Sequence, residues 1–218
     1  MIRVLVISGD YWHPTEVIRR GLLGLPDADH FQFDFITDAK DMLCPEMLGS
    51  YDVIVNAKMD VISEGNQHEW FQEGVTEIMP ADLKQWTAAG HGFLALHGGS
   101  SYYNTDTTGY TDFVGCHFVT HPPRCAIDMK IVAEHPVTKD VPAFTYRDEH
   151  YQLALQGDDI QVLATSHSPT GGDQVGAYVR PVGVGRLCVL APGHILQTFM
   201  HPAYQKMLSN ALRWCAGE

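Results

Sequence analysis

Apolar residues in the first half of the chain fall into short runs at 2–8, 52–56 and 92–96. A brief run with no polar alternation is the pattern of a strand covered on both faces, as in a parallel sheet. Segment 31–36 instead alternates Phe31, Phe33 and Phe35 with Gln32 and Asp34, and reads as a further strand. Between the runs the spacing turns helical: Val17, Ile18, Leu22 and Leu23 follow Pro14, a short piece spans 45–48, and a helix over 81–89 is ended by Gly90. This alternation predicts an α/β fold with a doubly wound, mainly parallel sheet.

Later in the chain the strands come without helices between them. Segments 126–132, 160–165, 175–179 and 185–190 read as added β-hairpin strands, with Pro181-Val182-Gly183 joining the last two. Tyr204, Met207, Leu208, Ala211, Leu212 and Cys215 share one face of a closing helix that Gly217 ends. Periodicity is lost from Lys58 to Pro80, and a loop this long in a compact domain is expected to act as a lid or subunit contact. No repeat or linker interrupts the pattern, so residues 1–218 are read as a single domain.

The strand at 92–96 stops at His97, and Gly98 and Gly99 follow at once. Glycines there predict a tight strand-to-helix turn, and ligands in open α/β sheets bind beyond the carboxyl ends of the strands. His13, after the first strand, and His194, after the strand at 185–190, hold corresponding positions. His121 joins them from the His-Pro-Pro segment. Asp148-Glu149-His150 is the tightest acidic cluster; in an extended segment Glu149 points away from its two neighbours. The expected catalytic set is therefore His97, Glu149 and His194, and the expected metal ligands are His13, His97, His121 and His194. Imidazoles with one carboxylate suit Zn²⁺ or another divalent metal. The spacing is not a local metal motif, so the set depends on the fold bringing distant loops together.

Composition narrows the partners. A formal net charge of −12 argues against nucleic acid and anionic membranes, which need basic patches. No apolar run approaches the roughly 20 residues of a membrane span. The start of the chain enters a strand with no signal-peptide pattern, so a cytoplasmic location is expected. Five cysteines without CxxC spacing fit reduced thiols. No phosphate-cradling GxxxxGK[ST] or GxGxxG loop occurs, which points away from a nucleotide cofactor. A small-molecule ligand is expected, and a homo-oligomer stays open.

Several stretches together resemble the ThuA-like, or trehalose-utilisation, family. They are His13-Pro14, Leu96-His97-Gly98-Gly99, Phe118 to His121-Pro122, Asp148-Glu149-His150-Tyr151, Val179-Arg180-Pro181, Gly193-His194, His201-Pro202, Asn210, Trp214 and Gly217, in that order. The resemblance implies a class I glutamine amidotransferase-like, flavodoxin-like fold and a role in carbohydrate metabolism on trehalose-like or keto sugars. Tyr102 and Tyr103, which flank the expected site residues in sequence, are expected with His13 to bind the substrate, with Tyr11 and Trp12 as further aromatic surface. In the superfamily the turn after the elbow strand carries a Cys; here it carries His97, which speaks against glutaminase chemistry. Three functions follow for comparison: a sugar-active hydrolase, lyase or isomerase, a non-catalytic sugar-binding or accessory protein, and an amidotransferase-like hydrolase.

Overall fold

The computed structural model describes residues 1–37, 39–59, 71–102 and 105–218. In chain order the first half comprises β1 (Ile2–Ile7), α1 (Thr15–Leu23), β2 (Phe31–Ile36), α2 (Ala39–Met42), α3 (Pro45–Leu48), β3 (Val53–Asn56), α4 (Pro80–Ala88) and β4 (Gly92–Leu96). The second half adds α5 (Tyr110–Val114), β5 (Cys116–Thr120), β6 (Cys125–Ile131), β7 (Phe144–Asp148), β8 (Gln152–Leu155), β9 (Gln161–Ser168), β10 (Gly172–Val182), β11 (Gly185–Leu190), α6 (Leu196–Phe199) and α7 (Pro202–Ala216).

The fold is mixed α/β around a nine-stranded sheet of order β2-β1-β3-β4-β11-β10-β9-β6-β7, with β5 and β8 forming a separate ribbon. From β2 to β11 neighbouring strands pair in parallel, and from β11 to β7 they pair antiparallel. The apolar runs are explained by burial on both faces. Val4, Val6, Val55, Leu94 and Leu96 enter the core shared with α1, α6 and α7, while Leu5, Ile7, Ile54, Phe93 and Ala95 enter the core shared with α3, α4 and α5. Each fully buried aliphatic side chain contributes about 1.5–3 kcal/mol relative to exposure, so the parallel half is the rigid platform for its loops.

The alternation counted from β11 outward leaves β7 running in the same direction as the parallel strands. The carboxyl ends of β1, β4, β11 and β7 therefore open at one edge. Register shifts between Val175 and Tyr178 mark an irregularity in β10 opposite β9, a feature that bends and twists a sheet. The loop after β7 meets the loop after β11, as the Asp148 contacts described below show.

Some expectations need correction. Pro181 lies inside β10, opposite Arg186, and the connection to β11 is the Gly183-Val184 turn. A proline is tolerated there because β9 starts opposite Val179 and leaves that end of β10 with one partner. Of the aperiodic segment 58–80, residues 60–70 lie outside the described residues, so a lid or subunit contact there is not described. Among the described residues no helix is long and apolar enough to cross a membrane.

Candidate functional site

Three imidazoles meet at the shared edge. The ring centroids of His13 and His97 are 5.1 Å apart, those of His13 and His194 5.1 Å, and those of His97 and His194 5.3 Å. Glu149 completes the group: one candidate ligand atom from each of the four residues lies within 4.8 Å of all the others. They stand on the loops after β1, β4, β7 and β11, so four segments distant in sequence supply one residue each.

His97 is held tightly. It adopts φ 44°, a left-handed conformation unusual for a residue with a Cβ, at the turn where β4 ends. The two glycines after it answer to space. A Cβ on Gly98 would come 2.8 Å from His13 Nδ1, and one on Gly99 would come 1.9 Å from the Asn56 carbonyl oxygen. His97 Nδ1 donates to the Ala191 carbonyl at 2.7 Å, and its ring stacks on Tyr151 with centroids 3.9 Å apart. The Nδ1 proton is thereby fixed, and the Nε2 lone pair is turned inward.

His13 is oriented by a residue the sequence pattern did not single out. Its Nδ1 lies 2.7 and 2.9 Å from the two carboxylate oxygens of Asp10, which also accepts from the backbone N–H groups of Trp12, His13 and Met59. Burial works against ionisation of Asp10, but these hydrogen bonds outweigh it and hold its pKa below the usual carboxylate value. Burial also lowers the His13 pKa and outweighs the help from Asp10, which favours the neutral ring; with Nδ1 turned to Asp10, Nε2 is the accepting nitrogen. That nitrogen accepts from the Tyr151 hydroxyl at 3.1 Å. The signal for Asp10 was present in principle: Asp beside a strand end often bonds the backbone two and three residues on.

Asp148 and Glu149 divide their work. Asp148 is fully buried, and its Oδ2 accepts from the N–H groups of Gly193 and His194. His150 is also buried, between the Ser166 and Ser168 hydroxyls. Glu149, between them, faces the imidazoles. Its Oε2 lies 3.1 Å from His194 Nδ1, 3.6 Å from His97 Nε2 and 3.6 Å from His121 Nε2, and its Oε1 is 3.8 Å from Arg124 Nε. Burial raises its pKa, but His194 and His97 outweigh that and hold it well below the ordinary range. Glu149 is therefore a carboxylate at neutral pH.

The other expected residues are placed as follows. His121 is half-buried at the rim with Nδ1 donating to the Pro122 carbonyl; it touches Glu149 but lies outside the four-residue group. Tyr102 is buried against Tyr110, with centroids 3.9 Å apart, and borders a neighbouring hollow instead of this one. Tyr103 lies outside the described residues. Trp12, about half exposed, lines the mouth, whereas Tyr11 packs edge-on against it. The hollow itself is about 130 Å³.

The donor set can hold a divalent cation. His97 Nε2 and His194 Nδ1 are buried and face the Glu149 carboxylate, 3.6 and 3.1 Å from its Oε2. A bare imidazole lone pair opposite an anionic oxygen is repulsive unless a proton or metal ion lies between them. Three nitrogens and one carboxylate oxygen are a donor set for Zn²⁺ or another first-row divalent ion. Asp10 behind His13 and the Ala191 carbonyl behind His97 are the outer partners that orient such ligands. Thiol chemistry has less support. Burial pushes the Cys116 thiol to about 11, Cys215 to about 12 and Cys188 well above its usual value.

The fold and its loop edge define a ThuA-like α/β protein with its conspicuous polar residues at the carboxyl ends of the strands. The family model described as trehalose utilisation, ThuA, matches residues 3–215, and the chain belongs to that family. A ThuA-like protein from Bacteroides uniformis is similar in structure, with TM-score 0.75 and 21% identity over 98% of this chain and 91% of that one. A protein of Salmonella typhimurium described as cytoplasmic superposes with TM-score 0.63 and 15% identity, over 98% of each chain. A β-galactosidase from Rahnella sp. R3 matches with TM-score 0.66 and 16% identity; it covers 98% of this chain but 31% of the enzyme. No curated protein matches the sequence.

Proposed function

We propose that this protein is a metal-dependent enzyme acting on a sugar derivative, with His13, His97, His194 and Glu149 as the ligands of a divalent cation. The observation that carries the reading is the convergence of His13, His97, His194 and Glu149 from four separate loops, with one candidate ligand atom of each within 4.8 Å of all the others. A carbohydrate substrate is supported by membership of the family described as trehalose utilisation. The parallel order β2-β1-β3-β4-β11 supports a doubly wound, flavodoxin-like core. The relative described as cytoplasmic supports the same location for this chain.

A bound divalent ion supplies Lewis acidity towards a carbonyl or hydroxyl oxygen of the sugar. The residues around it then have separate duties. Glu149 is too acidic for an efficient base near pH 7, where a catalytic group works best with a matched pKa; its duty is to hold the cation. His121 keeps its Nδ1 proton on Pro122 and presents Nε2 to the hollow, so it is placed to take a proton from substrate carbon or oxygen. Trp12 at the mouth offers an aromatic face to the sugar ring.

The test is turnover. Untagged protein loaded with Zn²⁺, Mn²⁺ or Co²⁺ is incubated with disaccharides and their keto derivatives, beside His121→Gln and Glu149→Gln. Metal-dependent turnover is expected, abolished in His121→Gln with metal content intact and in Glu149→Gln with metal content reduced. Sugar binding without turnover in any metal form would instead favour a non-catalytic binding protein.

A further inference from the structure

The rim of the site carries positive charge that the proposed cation ligands do not use. Between β5 and β6 the chain runs His121-Pro122-Pro123-Arg124. Two successive prolines fix φ at about −65° and restrict the residue before them, and His121 Nδ1 is held on the Pro122 carbonyl. The segment is therefore preformed. Strand register does the rest: Cys125 pairs with Asp148 in the β6–β7 ladder, which sets Arg124 opposite Glu149.

Arg124 Nε lies 3.8 Å from Glu149 Oε1, beyond the roughly 2.7–3.2 Å of an N–H···O hydrogen bond. Its side chain is 44% exposed, against 13% for Glu149, so the guanidinium opens to solvent at the edge of the hollow that Glu149 lines. Arg147, exposed on β7, stands beside it; its Nη2 donates to the Arg124 carbonyl at 3.4 Å. Among the described residues neither guanidinium is hydrogen-bonded to a carboxylate. The arginines that serve the fold differ: Arg180 is bonded to Asp159, and Arg213 to Asp27.

A divalent ion beside Oε2 would match the charge of Glu149. The Arg124 fork, suited to carboxylate and phosphate oxygens, is then left for a ligand. The net charge of −12 does not forbid this, since exposed charges farther than about 8 Å are largely screened at physiological ionic strength. Resting on the metal and sugar reading above, we propose that Arg124 determines specificity here by selecting a sugar derivative with an anionic group, a carboxylate or a phosphate ester. That group lies on Arg124 at the rim, with Arg147 adding a second positive charge. A neighbouring hydroxyl or carbonyl oxygen of the same molecule enters the hollow.

Calorimetric titration of the untagged, Zn²⁺-loaded protein with methyl glucoside, glucuronate and glucose 6-phosphate tests this, with zinc content measured on each sample. At least one of the two anions is expected to bind about tenfold or more tightly than methyl glucoside, as hydrogen bonds to a charged partner do; the tighter one identifies carboxylate or phosphate. Arg124→Gln is expected to remove most of that preference at unchanged zinc content and Tm. Arg124→Lys, which keeps the charge but not the fork, restores part of it. A preference that survives in Arg124→Gln belongs to the metal ion alone and overturns the proposal, as does the absence of any preference. Loss of zinc from Arg124→Gln makes the residue a support for Glu149 and overturns it too. If none of the three sugars binds while zinc is retained, the sugar reading falls with the proposal; if the parent protein takes up no zinc, the metal reading falls with it.

Discussion

Asp148 fastens His194 to the site through the backbone, its Oδ2 accepting from the N–H groups of Gly193 and His194 at 3.0 and 3.2 Å. Its other oxygen accepts from the Glu149 N–H at 2.9 Å. One buried carboxylate thus sets the position of two proposed ligands, one on each of two loops. Asp148→Asn keeps the shape but exchanges an acceptor for a donor facing N–H groups. It is expected to weaken Zn²⁺ binding about 10- to 100-fold, the usual effect of losing an outer partner. Competition against a chromophoric chelator reads this, and unchanged affinity would show that the loops hold themselves.

Tyr151 competes with a metal ion for the same lone pair, His13 Nε2, which it reaches at 3.1 Å. Tyr151→Phe removes that competitor and leaves the ring stacked on His97. Zn²⁺ affinity is therefore expected to be equal or up to about fivefold higher, from one neutral hydrogen bond of about 1 kcal/mol. The same chelator competition measures it; a loss of more than tenfold would mean the phenol supports the ligand instead of rivalling it.

Gly99 is required by space. An added methyl would overlap the Asn56 carbonyl, which belongs to rigid β3. Gly99→Ala is expected to cost about 2–3 kcal/mol, as overpacking does, visible as a lower urea midpoint with unchanged slope. Stability equal to the parent would show that the turn after β4 can move.

Away from the site, Asp27 gives the clearest pH dependence. Burial raises its pKa, but hydrogen bonds from the Ser209 hydroxyl and the Arg213 guanidinium outweigh that and lower it. A folded pKa below the unfolded value of about 3.9 stabilises the fold fully above that value. The contribution fades as pH falls through the folded pKa. Asp27→Asn should cost about 1 kcal/mol at pH 7, allowing for partial exposure, and progressively less below pH 4. Urea titrations of both proteins at pH 7 and pH 3 check it; a difference that grows towards low pH would reverse the sign.

How far the sequence discloses this arrangement depends on the kind of burial. Strands β1, β3 and β4 are covered on both faces and announce themselves as apolar runs. The helix α5 and strand β5 do not: the one is five residues between Gly109 and Gly115, and the other pairs with β8 alone, so neither carries a clear period. His13, His97 and His194 were legible because each follows a strand end, and Glu149 because alternation separates it from Asp148. Which of His121 and Glu149 joins the three imidazoles was not legible, since it depends on how the loops after β5 and β7 fold over the edge. Asp10 and Tyr151 act through His13, a relation between side chains that spacing along the chain does not express.

The most direct test is anomalous diffraction at the zinc edge from crystals of the untagged protein grown with Zn²⁺. The account predicts one strong peak among the four residues, about 2.0–2.2 Å from the ligand nitrogens and the Glu149 oxygen, and its loss in His97→Ala. A peak bound elsewhere, or none at this cluster with the side chains in their present places, would contradict it.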